Sequence, residues 1–99
     1  MWRLDVSAEA EVEIFAAALR YEREKSGLGF RFEADLGRVF TRLAENPLQF
    51  PEIELEARRA LLRRFPYGVF FTVAADVVTV LAVLHLHRQP ATWKDRRRT

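Results

Sequence analysis

Apolar residues recur at helical spacing from residue 8 to residue 46 and at strand spacing from residue 56 onward. This change of period constrains the fold more than any other feature of the chain. Ninety-nine residues leave room for one core, so the two halves have to bury their apolar faces against each other.

Trp2, Leu4 and Val6 alternate with Arg3 and Asp5, which predicts a short half-buried strand. Ser7 then offers a side-chain oxygen as a helix cap, with Glu9 and Glu11 near the positive end of the helix. From Ala8 the residues Val12, Phe15, Ala16 and Leu19 form one stripe, widened by Ile14, Ala18 and Tyr21. Ser26-Gly27-Leu28-Gly29 closes that helix. A second helix carries Phe32, Leu36, Val39, Phe40 and Leu43 on one face and stops at Asn46-Pro47. The short link between the two predicts an antiparallel helical hairpin.

Residues 47–54 read as a loop with apolar anchors at Leu48, Phe50 and Ile53. Three strands follow, over 56–65, 67–74 and 77–87, with Pro66 interrupting the ladder between the first two. Ala75-Asp76 is a tight junction, so the last two strands should form an antiparallel hairpin. In the last strand Val78, Val80, Ala82, Leu84 and Leu86 make a uniformly apolar face, expected to lie under the helices. Val77, Thr79, Leu81, Val83, His85 and His87 make the other. The expectation is a single α+β domain over residues 1–99, with the order β-α-α-β-β-β. A helical hairpin covers one face of a mainly antiparallel sheet, and a short C-terminal tail follows. Any site should lie on the uncovered face.

Several function classes are excluded or disfavoured. There is no cysteine, so disulfides and thiolate metal sites are excluded. His85 and His87 have i, i+2 spacing, but no carboxylate cluster completes a metal site, and no cofactor is expected. Gly27, Gly29, Gly37 and Gly68 lack the spacing of a phosphate-cradling loop. Ser7 and Ser26, the only serines, sit at helix boundaries rather than in a nucleophile set. Acidic residues interrupt any N-terminal signal pattern, and the longest apolar run, 77–84, is far short of the roughly 20 residues that span a bilayer. A soluble, cytoplasmic protein with no membrane partner is expected. Charge is uneven: residues 1–46 hold seven Lys/Arg and nine Asp/Glu, residues 47–99 nine and five. A cationic C-terminal half suits nucleic acid or an acidic protein, or is simply a solvated basic surface.

Three groups of residues carry a resemblance. Phe65-Pro66-Tyr67 stands between two strands. His85-Leu86-His87-Arg88-Gln89-Pro90 precedes Trp93 and Arg96. Asn46-Pro47 and Pro51 mark the central loop. Together with the order of elements, they make the chain resemble the RelE/ParE superfamily of toxins, over nearly its whole length. Phe-Pro-Tyr is similar to the signature of ParE-type members. The resemblance implies a toxin neutralised by a small antitoxin encoded beside it. RelE-like members cleave mRNA in the ribosome, whereas ParE-like members poison DNA gyrase.

Cleavage of RNA through its own 2′-hydroxyl needs a base, cations at the phosphate and an acid for the leaving oxygen. His85 and His87 for proton transfer, with Arg63 and Arg88 for charge, are the candidates for that chemistry. Strand alternation puts Arg58 and Arg64 on one face and Arg59 and Arg63 on the other, and leaves open which pair faces outward. The chain departs from RelE in lacking a C-terminal tyrosine; Trp93 is its only aromatic after Phe71. Tryptophan can stack on a base but cannot exchange protons usefully. A binding role with gyrase as target therefore comes first. The alternatives are a ribosome-dependent mRNA endonuclease and a weakly toxic antitoxin-binding module. Arg31, Arg38, Arg42, Arg59, Arg64, Trp93 and Arg96 are the expected partner-binding residues. The antitoxin is expected to be small, acidic and partly disordered, folding on contact.

Overall fold

In a computed structural model the chain is described over residues 2–88 and 91–96, so Gln89-Pro90 and the arginines at 97 and 98 lie outside the described residues. The elements are β1 (Arg3–Val6), α1 (Ala8–Glu24), α2 (Leu28–Glu45), β2 (Glu52–Glu54), β3 (Ala57–Leu61), β4 (Tyr67–Ala74) and β5 (Val77–His85). Short 3-10 turns lie at Pro47–Gln49 and Thr92–Arg96. The five strands form one sheet in the order β1-β5-β4-β3-β2. Among the described residues only the β1–β5 pair is parallel. The expected α+β arrangement is present, with one added short strand. No helix among the described residues is long and apolar enough to cross a membrane.

Ser7 caps α1 as expected. Its Oγ accepts from the Ala10 amide at 3.1 Å and donates to the Leu81 carbonyl at 3.2 Å, tying the helix start to β5. The buried face of α1 differs from the expected one. Ala10, Ala17 and Ala18 are buried, whereas Val12 and Phe15 are 68% and 69% exposed and Leu19 is 39% exposed. Small residues won because they let the helices approach closely. A Cβ placed on Gly29 of α2 would sit 2.5 Å from the Ala18 carbonyl oxygen, which a real side chain cannot do. In α2 the expected stripe holds: Phe32, Leu36, Val39 and Leu43 are buried, with Phe40 packed against them.

The first long strand is shorter than the sequence suggested. β3 ends at Leu61, and Arg63 and Arg64 lie in the following loop rather than on opposite faces of a strand. Before it, Leu55 and Glu56 both adopt left-handed backbone (φ 54° and 64°) and turn β2 into β3. Two such residues in succession match the right-handed twist of a hairpin.

The largest departure is in β5. Phe70 pairs with Ala82 but Phe71 with Val80, so Leu81 is an extra residue, a β-bulge. One added residue reverses the alternation beyond it. Val78 and Val80 lie under the helices as expected, yet so do Val83 and His85, while Ala82 and Leu84 face away. The strand also stops at His85, short of the expected 87. The second face is not bare. Ala57, Phe70, Leu81, Ala82, Leu84 and Trp93 form a smaller apolar cluster there, closed by the C-terminal 3-10 turn.

Candidate functional site

The residues singled out in the sequence fall into three places. The first lies along α2 and the loop after β3. Leu28, Arg31, Ala34, Arg38, Arg64 and Phe65 line a cleft of about 540 Å³. A smaller cleft of about 160 Å³, with Asp35, Arg38, Arg42 and Arg63 in its wall, shares Arg38 with it. Five arginines thus gather along two adjoining clefts. Two of them, Arg64 and Arg38, are positioned by Asp35, which is 1% exposed. Asp35 Oδ2 accepts from the Arg64 amide at 2.8 Å, and Oδ1 lies 3.9 Å from Arg38 Nη2. Phe65 packs between Tyr21 and Phe32, with ring centroids 4.8 and 5.4 Å away, and holds the same loop from inside. Arg42 is fixed more firmly: it donates to Gln49 Oε1 at 3.1 Å and lies 4.8 Å over the Phe50 ring.

The second place is a cleft of about 360 Å³ between α1 and the end of β5. Glu13, Arg20, Tyr67, Val83, His85 and Arg88 are in its walls. Arg20 Nη2 donates to Tyr67 Oη, and the His85 ring meets the Tyr67 ring edge-on at 5.3 Å. His85 Nδ1 accepts from the His87 amide at 3.1 Å, which leaves Nε2 as the proton-bearing nitrogen of the neutral ring. Desolvation lowers the His85 pKa below its ordinary value of 6.5, and Arg88, Arg20 and His87 lower it further. The neutral ring is therefore the form held at neutral pH. Burial raises the Tyr67 pKa, against the opposing pull of Arg20. The phenol keeps its proton.

The third place is the far face of the sheet. Arg59 is half-buried there, opposite Phe70 and beside Gly68. Trp93 is 2% exposed and stacks on Phe70, with centroids 5.6 Å apart and planes 13° apart. Arg96 forms an ion pair with Glu13 at 2.9 Å and donates to the Leu81 carbonyl at 3.2 Å. In this state neither Trp93 nor Arg96 offers its side chain to a partner. The sequence placed any site on the uncovered face; these three arginine-containing clefts lie on the helical side.

His85 and Arg88 therefore share a cleft, while Arg63 lines a different one. Sequence reasoning missed Arg20, Glu13 and Asp35, and named Tyr67 only as part of the Phe-Pro-Tyr resemblance. Asp35 had a visible signal: it is a carboxylate set in the apolar stripe of α2, three residues after Phe32 and four before Val39. Arg20 and Glu13 could be found only once the buried face of α1 was known.

A fourth surface feature is apolar. Phe15, Leu19 and Phe30 line one shallow depression across α1 and α2, and Phe30 is 75% exposed. Val12 extends the patch along α1. Exposed apolar groups gathered this way usually mark a contact surface.

The family model for the ParE toxin of type II toxin-antitoxin system, parDE, matches residues 3–90. The chain belongs to the ParE toxin family. Its fold is also similar to that of a chain in the solved structure described as "Chromosomal ParDE TA system from P. aeruginosa". That match has a TM-score of 0.76 at 18% identity, and covers 86% of this chain and 96% of the other. A comparison of the sequence with curated proteins finds no match. Membership of the ParE toxin family bears out the resemblance carried by Phe65-Pro66-Tyr67 and by the segment after β5. It makes the chain a toxin-family member of a type II system; fold likeness alone assigns no target.

Proposed function

We propose that this ParE-family chain is a cytoplasmic toxin that acts by binding, that DNA gyrase is its target, and that a cognate antitoxin neutralises it. The observation that carries the antitoxin reading is the unpartnered apolar patch of Val12, Phe15, Leu19 and Phe30 on a hairpin whose second helix also bears the arginine clefts. An amphipathic antitoxin segment would lay its apolar face on the patch and its acids on Arg31, Arg38, Arg42 and Arg64. Such a segment orders on contact, which suits a partner that is disordered alone.

The dispersal of the catalytic candidates supports binding over RNA cleavage. The nuclease reading needs His85, Arg88 and Arg63 around one phosphate, and Arg63 lines a separate cleft. Gyrase as the target rests on the resemblance to ParE-type members rather than on the clefts. The purified chain should inhibit gyrase supercoiling and, on expression, induce a DNA-damage response. Untouched supercoiling together with new cleavage ends on ribosome-associated transcripts would replace this reading with the nuclease one. Harmless expression without the antitoxin would favour a weakly toxic binding module.

Replacing Arg38 and Arg42 together by glutamate tests the antitoxin surface. The complex with the product of the neighbouring gene should weaken strongly, and unchanged affinity would move the antitoxin elsewhere.

A further inference from the structure

We propose that the cleft between the second half of α1 and the end of β5 binds a phosphate monoester, such as the terminal phosphate of a nucleotide, through Arg20, Arg88, His85 and Tyr67. The cleft shares no lining residue with the arginine clefts along α2.

Charge is the first argument. Among the described residues neither Arg20 nor Arg88 forms a salt bridge. Glu13, the one carboxylate among the described residues of the cleft wall, is already engaged: Oε2 pairs with Arg96 at 2.9 Å and Oε1 accepts from the Val83 amide at 3.0 Å. The cleft is left with two uncompensated guanidinium charges. A phosphate monoester carries about −1.5 to −2 at pH 7 and matches them, whereas one carboxylate leaves a positive charge over.

Geometry is the second. The donors come from three directions: Arg20 from α1, Tyr67 and His85 from paired positions on β4 and β5, and Arg88 from the segment after β5. A tetrahedral phosphate offers three terminal oxygens to donors approaching from different sides; a planar carboxylate offers two in one plane. Among the described residues the Arg88 side chain makes no hydrogen bond and the Arg20 side chain donates only to a phenol, so donor capacity remains on both. The volume, about 360 Å³, is in the range of small-molecule sites.

The groups facing His85 are Tyr67 on β4, Arg20 and Glu13 on α1, and His87 and Arg88 beyond β5. An anion seated among them would offset the two arginines that now oppose imidazole protonation. Occupancy of the cleft can therefore be read from the titration of one ring.

The test uses the full chain with three probes: inorganic phosphate, adenosine 5′-monophosphate and an acetylated tetraglutamate peptide. Calorimetry measures affinity, and NMR follows the His85 imidazole across pH. Adenosine monophosphate should bind more tightly than the peptide, and saturation should raise the His85 pKa. Arg88→Gln should cost about tenfold or more in affinity, while Arg3→Gln on the distant strand β1 should leave affinity unchanged. The Arg88 side chain is exposed and makes no hydrogen bond among the described residues, so its variant should fold like the parent, which matching circular dichroism would check. Three results would each overturn the assignment: no binding of either phosphate at millimolar concentration, affinity undiminished by Arg88→Gln, or tighter binding of the acidic peptide. Binding of inorganic phosphate as tight as that of the nucleotide would keep the phosphate site and remove the nucleotide from it.

Discussion

Glu13 Oε2 and Arg96 Nη2 meet at 2.9 Å, joining the middle of α1 to the turn that follows the sheet, far apart in sequence but adjacent in space. The pair is partly buried, with side chains 19% and 22% exposed, and the other Glu13 oxygen accepts from the Val83 amide. That oxygen takes the place of a neighbouring strand, because β1 pairs with β5 only as far as Val80.

Removing the carboxylate should therefore cost more than removing the guanidinium. Glu13→Ala leaves the Val83 amide without its acceptor and should destabilise by about 1–3 kcal/mol. Arg96→Ala should cost about 1 kcal/mol. Urea denaturation of both variants checks the order, and equal losses would mean that the ion pair alone matters.

Asp35 should matter more to the arginine clefts than any single arginine. Asp35→Ala removes the acceptor of the Arg64 amide from a site that is 1% exposed, and should cost about 1–3 kcal/mol. Hydrogen exchange at the Arg64 amide should rise by more than the global loss of stability explains. Exchange that tracks global stability alone would show that Phe65 suffices to hold the loop.

The apolar patch predicts a separation of stability from binding. Phe15→Glu and Phe30→Glu alter side chains that are 69% and 75% exposed, so stability should stay within about 0.5 kcal/mol. Antitoxin binding should fall severely in a pull-down or calorimetric assay. A large loss of stability would mean that these rings are covered in the free protein.

His85 predicts a pH dependence of stability. Its folded pKa is lowered, so the unfolded ring takes up a proton at a higher pH than the folded ring does. Protonation then favours unfolding, and the associated stability, present above the ordinary value of 6.5, is lost as pH falls through the folded pKa. His85→Gln should flatten denaturation midpoints measured between about pH 7.5 and 5.5. An unchanged slope would put the pH sensitivity elsewhere.

The parts of the fold that were legible in the sequence are those where large apolar residues keep one spacing. The α2 stripe and the β4–β5 hairpin are of this kind. On α1 both sides carry apolar residues, and pattern alone favours the larger ones; contact distance favoured Ala10, Ala17 and Ala18. The β2–β3 turn was hidden because neither Leu55 nor Glu56 is a glycine or asparagine, the residues that announce left-handed backbone. Residues 80–84 are apolar at every position, so either parity of β5 looks equally good and the bulge leaves no mark. The cleft at His85 inherits all of this: His85 and Arg88 were visible as residue types, but their neighbours on α1 depend on a helix face and a strand parity that composition does not encode.

The bulge at Leu81 also governs how this chain can be recombined with its relatives. It works as a phase change: positions upstream and downstream of it obey opposite odd-even rules for which side of the sheet they serve. A last strand of the same length but paired without the bulge would deliver an intact His-x-His-Arg segment to the wrong side, against the Trp93 cluster. Grafts joined after residue 82 keep the phase, and with it the address of every side chain that follows.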